Sequence, residues 1–327
     1  MPISITLACG AYDRTLPLAD GRVRAEGAEL NCILLPVEEI FFRTARNAEF
    51  DVAEMSLSSY TLTLERDSRF MAIPVFPSRA FRHNGVYVNA NSGITGPADL
   101  IGRTIGVPEY QVTAAVWIRG ILAEHHGVPV DSVRYRTGGL HAPGRPEKLA
   151  IEVPGVDIQP IHAGQTLAQM LVAGEIDALY TPRTPAPYLA RDPAVRRLFP
   201  DPRAAEEEYF RRTGIFPIMH TVIIRRDVYE AHRWLAGSLF KAFAAAKALA
   251  MGNVEETAAL TSILPWSYAD AEATRHLMGA DFWPYGIDAN GPVLRTLLGY
   301  LHDQHLVSRL LEPAELFAPE THASFVI

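Results

Sequence analysis

Along this chain, short apolar runs alternate with stretches in which apolar residues recur every three or four positions. The first pattern suits strands and the second suits helices that bury one stripe. Residues 3–8, 30–36, 50–55 and 70–75 read as strands, with a helix over 37–48. Ser56, Ser58 and Ser59 follow the third strand, where hydroxyls suit a helix start whose backbone N–H groups can receive an anion. The alternation then restarts, with strands over 86–89, 104–107, 133–136 and 177–181 and helices over 112–126 and 165–173, each stopped by a glycine. After the polar, acidic stretch 201–208, a strand over 215–226 leads into a long helix over 234–251. The remainder is mostly helical, with a Gly/Pro-rich loop at 282–292 and no internal repeat.

This β-α-β order predicts α/β lobes with mainly parallel sheets covered by helices. One lobe is begun, a second is inserted, and the first is completed, so the crossovers 76–86 and 199–222 form a two-segment hinge. The expected division places 1–83 and 220–327 in lobe 1, with the C-terminal helices, and 84–219 in lobe 2. The architecture resembles the type-2 periplasmic-binding-protein fold, which implies a ligand cleft between the lobes, beyond the carboxyl ends of the strands.

Composition narrows the reading. The 327 residues are 48% apolar and 20% charged, which excludes a disordered, collagenous or coiled-coil chain and allows two packed cores. The segment 234–251 is apolar enough to consider as a membrane span, but Lys241, Lys247 and the helical period favour a packed helix. The N-terminus lacks a basic region, a long apolar stretch and a cleavage site for export, so the expectation is a cytoplasmic protein with no membrane partner. With 30 Lys+Arg against 37 Asp+Glu, the net charge of -7 argues against nucleic acid as a partner. Cys9 and Cys32 read as buried reduced thiols.

Acidic residues are spread at about three per thirty positions, yet three windows hold none: 68–98, 178–191 and 209–226. The first carries Arg79, Arg82 and His83 in FPSRAFRHNGVYV, the second Arg183 in LYTPRTP, the third His220 in GIFPIMHTVII. In an acidic chain, this placement at expected cleft edges points to a cavity for a small anionic molecule. Arginine suits that task because its planar fork meets a carboxylate with two charge-assisted bonds. Arg79, Arg82 and Arg183 are therefore the candidate carboxylate ligands, against the simpler reading that each pairs with a surface acid. His220, following an apolar run, is the first candidate proton donor and His83 the second, since imidazole exchanges protons near neutral pH.

Tyr12, Tyr60 and Tyr110 lie in or just after loops where each can stack on a flat ligand or simply pack its own lobe. Trp283 and Tyr285 read either as a lid or as an anchor for the C-terminal helices. There is no GxGxxG after a strand, no GxxxxGK[ST], no HExxH and no GxSxG. The pairs His125/His126 and His302/His305 lack carboxylates at metal-binding spacing and read as solvated helix faces.

These residues resemble the 4,5-dihydroxyphthalate decarboxylase family. The matching pieces are FPSRAFRHNGVYVN, DLIGRTIGVPEYQVTAAVWIRGIL, TGGLHAPGR with Glu147 and Lys148, LVAGEIDALYTPRTP, and GIFPIMHTVIIRRDVYE, which together span most of 76–230. The FRH, TGGLxxPGR and FPIMH elements are the family-specific ones. The resemblance implies decarboxylation of an aromatic ortho-diacid carrying two phenolic hydroxyls, giving protocatechuate and CO2. Loss of CO2 directly from a benzoate would leave an aryl anion, so the ring carbon must first accept a proton, with a para hydroxyl supplying electron density. That scheme gives His220 the role of general acid and His83 that of base for the phenol; it calls for no organic cofactor and leaves a divalent metal and a homo-oligomer open. The alternative is a non-catalytic binding or sensor protein for an aromatic or other small carboxylate. A thiamine-precursor enzyme of the same fold would want a reactive lysine, and the three acid-free windows hold none.

Overall fold

The computed structural model describes residues 2–66, 69–144, 149 and 151–322. Eleven strands are found among them: β1 (Ile3–Cys9), β2 (Ala28–Leu34), β3 (Val52–Ser56), β4 (Phe70–Arg79), β5 (Val86–Asn89), β6 (Thr104–Val107), β7 (Arg134–Thr137), β8 (Ile158–Pro160), β9 (Ala178–Tyr180), β10 (Val195–Arg197) and β11 (Ile218–Arg225). The chain divides into two compact units, one of residues 1–79, 218–295 and 311–327, the other of 80–217 and 296–310.

The first unit is built on a five-stranded sheet in the order β2-β1-β3-β11-β4. β1 pairs in parallel with β2 and β3, whereas β11, the returning segment, runs antiparallel to both β3 and β4. Leu7, Val52, Ile73, Val222 and Ile224 belong to one core with Leu235, Leu239, Phe243 and Ala246 of the helix Trp234–Val254. That helix has the length and composition of a membrane span. Its buried residues recur at helical spacing, and it packs that stripe on the sheet.

The second unit holds a six-stranded sheet, β10-β5-β9-β6-β7-β8, parallel from β9 to β8 with β5 antiparallel to β9 and β10. Its core gathers Tyr87, Leu167, Leu171, Ile176 and Leu179. Two of its strands, β8 and β10, were not legible in sequence because, unlike the equally short but wholly buried β9, they carry almost no buried residue. The acidic stretch after 201 forms a helix, Pro202–Thr213, whose start is capped by the Asp201 carboxylate accepting from Ala204 N and whose end is a left-handed Gly214. Only Tyr209 on it is buried, so its pattern carries little apolar signal.

One boundary differs from expectation. Residues 296–310 belong to the second unit rather than to lobe 1. Tyr300 packs edge-on against Trp117, and the buried Arg119 donates from Nε to Gln304 Oε1 (2.8 Å), while Gln304 Nε2 donates to Val116 O (3.0 Å). His302 and His305 are exposed, but His125 and His126 are not the solvated pair expected: His125 packs on Tyr209 and His126 on Phe199 and His83.

Candidate functional site

Period-two alternation places Val52, Glu54 and Ser56 of β3 on one face of the first sheet, with Glu54 in the middle of a strand that is buried throughout. Its side chain is wholly buried. A carboxylate there is tolerated only if its lone pairs are filled. They are: Glu54 Oε2 accepts from Gly10 N (2.8 Å), and Oε1 accepts from the Tyr12 hydroxyl (2.9 Å) and lies 2.6 Å from His220 Nδ1.

The register explains the last contact. β11 pairs antiparallel with β3, setting His220 opposite Ser56 and Val222 opposite Glu54, so His220 and Glu54 are diagonal neighbours on one face. β11 is irregular on either side of His220 where it pairs with β4, and His220 sits opposite Ser78 there. The imidazole packs edge-on against Phe41 at 4.8 Å, and its side chain keeps 15% of its surface exposed. It thus stands at the carboxyl-end edge of β1, β3 and β4, mostly buried with a small part of its surface exposed.

Burial works to raise the Glu54 pKa, but the His220 hydrogen bond and charge, with donation from Gly10 N and Tyr12, more than offset it and hold the carboxyl below the usual carboxylate range. An ionised Glu54 only accepts, so His220 Nδ1 carries hydrogen toward it, and Nε2 is the ring nitrogen that Glu54 does not engage. Burial, then the Glu54 charge and hydrogen bond, push the Tyr12 phenol well up, so it remains a donor. Cys9, also buried, has its thiol pushed well up by burial and by Glu54, which makes it an inert thiol; Cys32 is half-buried.

Tyr12 owes its place to a glycine. A Cβ on Gly10 would lie 2.5 Å from the Tyr12 ring, too close for either to stay. Above the ring, the Arg14 guanidinium sits 4.3 Å from the Tyr12 centroid and 4.3 Å from that of Trp283. Arg14 Nε donates to Pro77 O (2.6 Å) and Nη1 to Asp13 Oδ1 (3.0 Å).

The other expected residues lie as follows. Arg79 is buried in the first unit, but its Nη2 donates to Pro284 O (2.7 Å) and to Asn290 Oδ1, so it fastens the 282–292 loop rather than offering that nitrogen to a ligand. Burial lowers its pKa to about 9. Trp283 and Tyr285 belong to the same fastening: Trp283 Nε1 donates to Phe76 O (2.8 Å) and Tyr285 meets Phe76 edge-on. Ser58 and Ser59 are wholly buried, with Ser59 Oγ donating to Ser56 Oγ (3.1 Å), so they serve the strand end and not solvent. Tyr60 is not a ligand-facing ring: it is buried, donates to Leu316 O (2.6 Å) and accepts from Ala72 N (3.1 Å).

In the second unit, Tyr110 is buried with the Arg119 guanidinium 3.7 Å over its ring, a core position rather than a loop-borne stacking platform. Arg82 is half-buried near Glu206, and burial lowers its pKa to about 10. Arg183 is exposed just past β9. His83 is buried among His126, Phe199 and Tyr209, and burial followed by the His126 charge lowers its pKa to about 4. It is therefore a neutral core ring in a different unit from His220, which does not suit a base exposed to substrate. Arg145, Glu147 and Lys148, part of the TGGLHAPGR resemblance, lie outside the described residues. Among the described residues no group of three or more His, Cys, Asp and Glu is gathered as a metal site would require.

Sequence reading passed over Glu54 and Arg14. The signal for Glu54 was present: a carboxylate inside the five-residue apolar strand VAEMS is a burial anomaly. Arg14 sits in a turn with no periodicity and gave none.

Two α/β units, each with its own sheet, define a protein of the solute-binding architecture, with a carboxylate–imidazole pair at the carboxyl-end edge of one sheet. Similar solved structures share that fold: a sulfonate-binding SsuA protein of Methylobacillus flagellatus KT (TM-score 0.56, 12% identity, 98% of this chain and 92% of that one) and the alkanesulfonate-binding SsuA of Xanthomonas axonopodis pv. citri (TM-score 0.53, 12% identity, 97% and 98%). No protein-family profile matches the chain. Over 327 residues, 99% of each chain, it is 44% identical to a 4,5-dihydroxyphthalate decarboxylase of Comamonas testosteroni, and over 211 residues, 64% of this chain and 82% of the other, 42% identical to one of Pseudomonas putida. The chain belongs to the 4,5-dihydroxyphthalate decarboxylase family and is a carboxy-lyase.

Proposed function

We propose that this protein converts 4,5-dihydroxyphthalate to protocatechuate and CO2, with His220 as the proton donor and Glu54 as the group that holds and charges it. The full-length relationship to decarboxylases of that name supports the substrate. The observation that carries the mechanism is the 2.6 Å Glu54–His220 contact.

The step balances as follows. The His220 imidazolium gives its Nε2 proton to the ring carbon bearing the departing carboxylate, and the π electrons that form the new C–H bond are replenished by the para oxygen. The carbon–carboxylate bond then breaks, its electron pair returns to the ring, CO2 leaves, and aromaticity is restored. One proton is consumed per turnover, and His220 regains it from solvent. Glu54 stabilises the imidazolium and fixes its Nδ1–H tautomer, the same division of labour as in other carboxylate–histidine pairs. Tyr12 and Gly10 keep Glu54 ionised.

His220→Asn tests the assignment, measured by CO2 release and ultraviolet absorbance with 4,5-dihydroxyphthalate. The expected loss is about 10²–10⁴ in kcat with little change in KM. Near-normal turnover in that variant would refute the role of His220. A wild-type protein that binds the diacid without releasing CO2 would refute the reaction.

A further inference from the structure

We infer that Arg14 is the anion-recognising group of the first unit and receives a carboxylate of the aromatic diacid, an assignment that rests on the proposed reaction for its ligand.

The geometry points there because the guanidinium carbon lies 4.3 Å from the ring centroid of Tyr12 and 4.3 Å from that of Trp283. Aromatic rings take up a guanidinium over the ring and leave its N–H edge for hydrogen bonding, and an edge with two parallel N–H groups matches a planar oxyanion. The inner edge is already fixed, since Nε donates to Pro77 O at 2.6 Å. Among the described residues, the outer edge meets the Asp13 carboxylate, at 3.0 Å from Nη1. Asp13 is a weak competitor: its side chain is 60% exposed, so its charge is well solvated, whereas that of Arg14 is 17% exposed.

Position completes the argument. Tyr12, the ring under Arg14, donates its hydroxyl to the Glu54 carboxylate that holds His220, so the cation and the imidazole are linked through Tyr12 and Glu54. The neighbouring cations are engaged otherwise: Arg79 fastens the 282–292 loop, and Lys247 pairs with Asp281. Arg14 thereby takes the role that sequence reading gave to Arg79.

The test uses the full chain and phthalate, a diacid without the hydroxyls needed for reaction, with affinity read by titration calorimetry. Arg14→Gln is expected to raise the phthalate Kd by about tenfold or more, with Arg14→Lys intermediate because it keeps charge but loses the fork. Asp13→Asn, a change at an exposed position, removes the competing charge and is expected to tighten phthalate about two- to fivefold. That gain is one a merely structural arginine would not produce, and it decides the matter even if Arg14→Gln does not fold. Unchanged phthalate affinity in both Asp13→Asn and Arg14→Lys, or no phthalate binding by the unaltered protein, would overturn the assignment. Turnover of 4,5-dihydroxyphthalate measured in parallel separates the two readings. No turnover with the Arg14 and Asp13 effects intact sinks the reaction alone, whereas normal turnover with those effects missing sinks Arg14 alone.

Discussion

Glu54→Gln removes one buried negative charge while keeping the length of the side chain and one of its two acceptors. The carboxylate now satisfies Gly10 N through Oε2 and both Tyr12 and His220 through Oε1. An amide has a single oxygen, so whichever way it turns, its NH2 faces a donor that the carboxylate had satisfied, at a cost of about 1–3 kcal/mol. The larger effect falls on His220. Opposite unit charges at the 2.6 Å of this contact attract by about 6 kcal/mol at an effective dielectric of 20, an upper scale before solvent relaxation. The part that survives in measured charge-assisted bonds is about 1.5–3 kcal/mol. Lost from the transition state at about 1.36 kcal/mol per tenfold, it lowers kcat by about 10–100-fold, read as CO2 release from 4,5-dihydroxyphthalate at one fixed pH. Phthalate affinity close to that of the parent shows that the variant is folded. A folded variant with kcat within about threefold of the parent would refute the pairing as the source of the acid.

Two further outcomes follow from named contacts. Gly10→Ala brings a Cβ to 2.5 Å from the Tyr12 ring and should displace the Tyr12 hydroxyl from Glu54; a loss of about 1–3 kcal/mol is expected in thermal or denaturant unfolding, together with lower kcat. His83 has a folded pKa of about 4, below its ordinary 6.5, so the unfolded chain takes up the proton first. Its contribution is complete above about pH 6.5 and is lost as pH falls toward 4, amounting to about 3 kcal/mol at the acid end. Unfolding at pH 7.5 and pH 4.5 should show that difference, and His83→Phe should shrink it; an equally acid-labile variant would refute the account.

The alternation of short apolar runs with helical stretches was enough to place nearly every strand of both sheets, because a buried strand has to be apolar whatever packs on it. His220 was legible for a related reason: an ionisable ring closing a strongly apolar run is anomalous wherever the run ends up. The arginines were not. Arg79, in an acid-free window, looked like an anion ligand, yet its Nη2 is taken up by Pro284 O and Asn290, more than two hundred residues away in sequence. Arg14, next to an aspartate in a turn, carries no periodic signal, and only the folded loop carrying Trp283 sets its guanidinium over a second ring. Tyr60 and Tyr110 failed likewise, since whether a tyrosine near a loop faces a ligand or the core depends on the layer above it.

What the sequence by itself determined, then, is the set of elements, the family to which the motifs resemble, and the histidine. What only the tertiary structure decided is the partnership: Glu54 and His220 stand 166 positions apart, and Gly10 and Tyr12 another forty or so before Glu54. They meet because β11 returns antiparallel against β3 in one register, and a slip of a single residue would turn the imidazole to the opposite face of the sheet. Pattern along a chain specifies which face is buried, but the choice of neighbour across strands is made by the packing of the whole sheet on its helices.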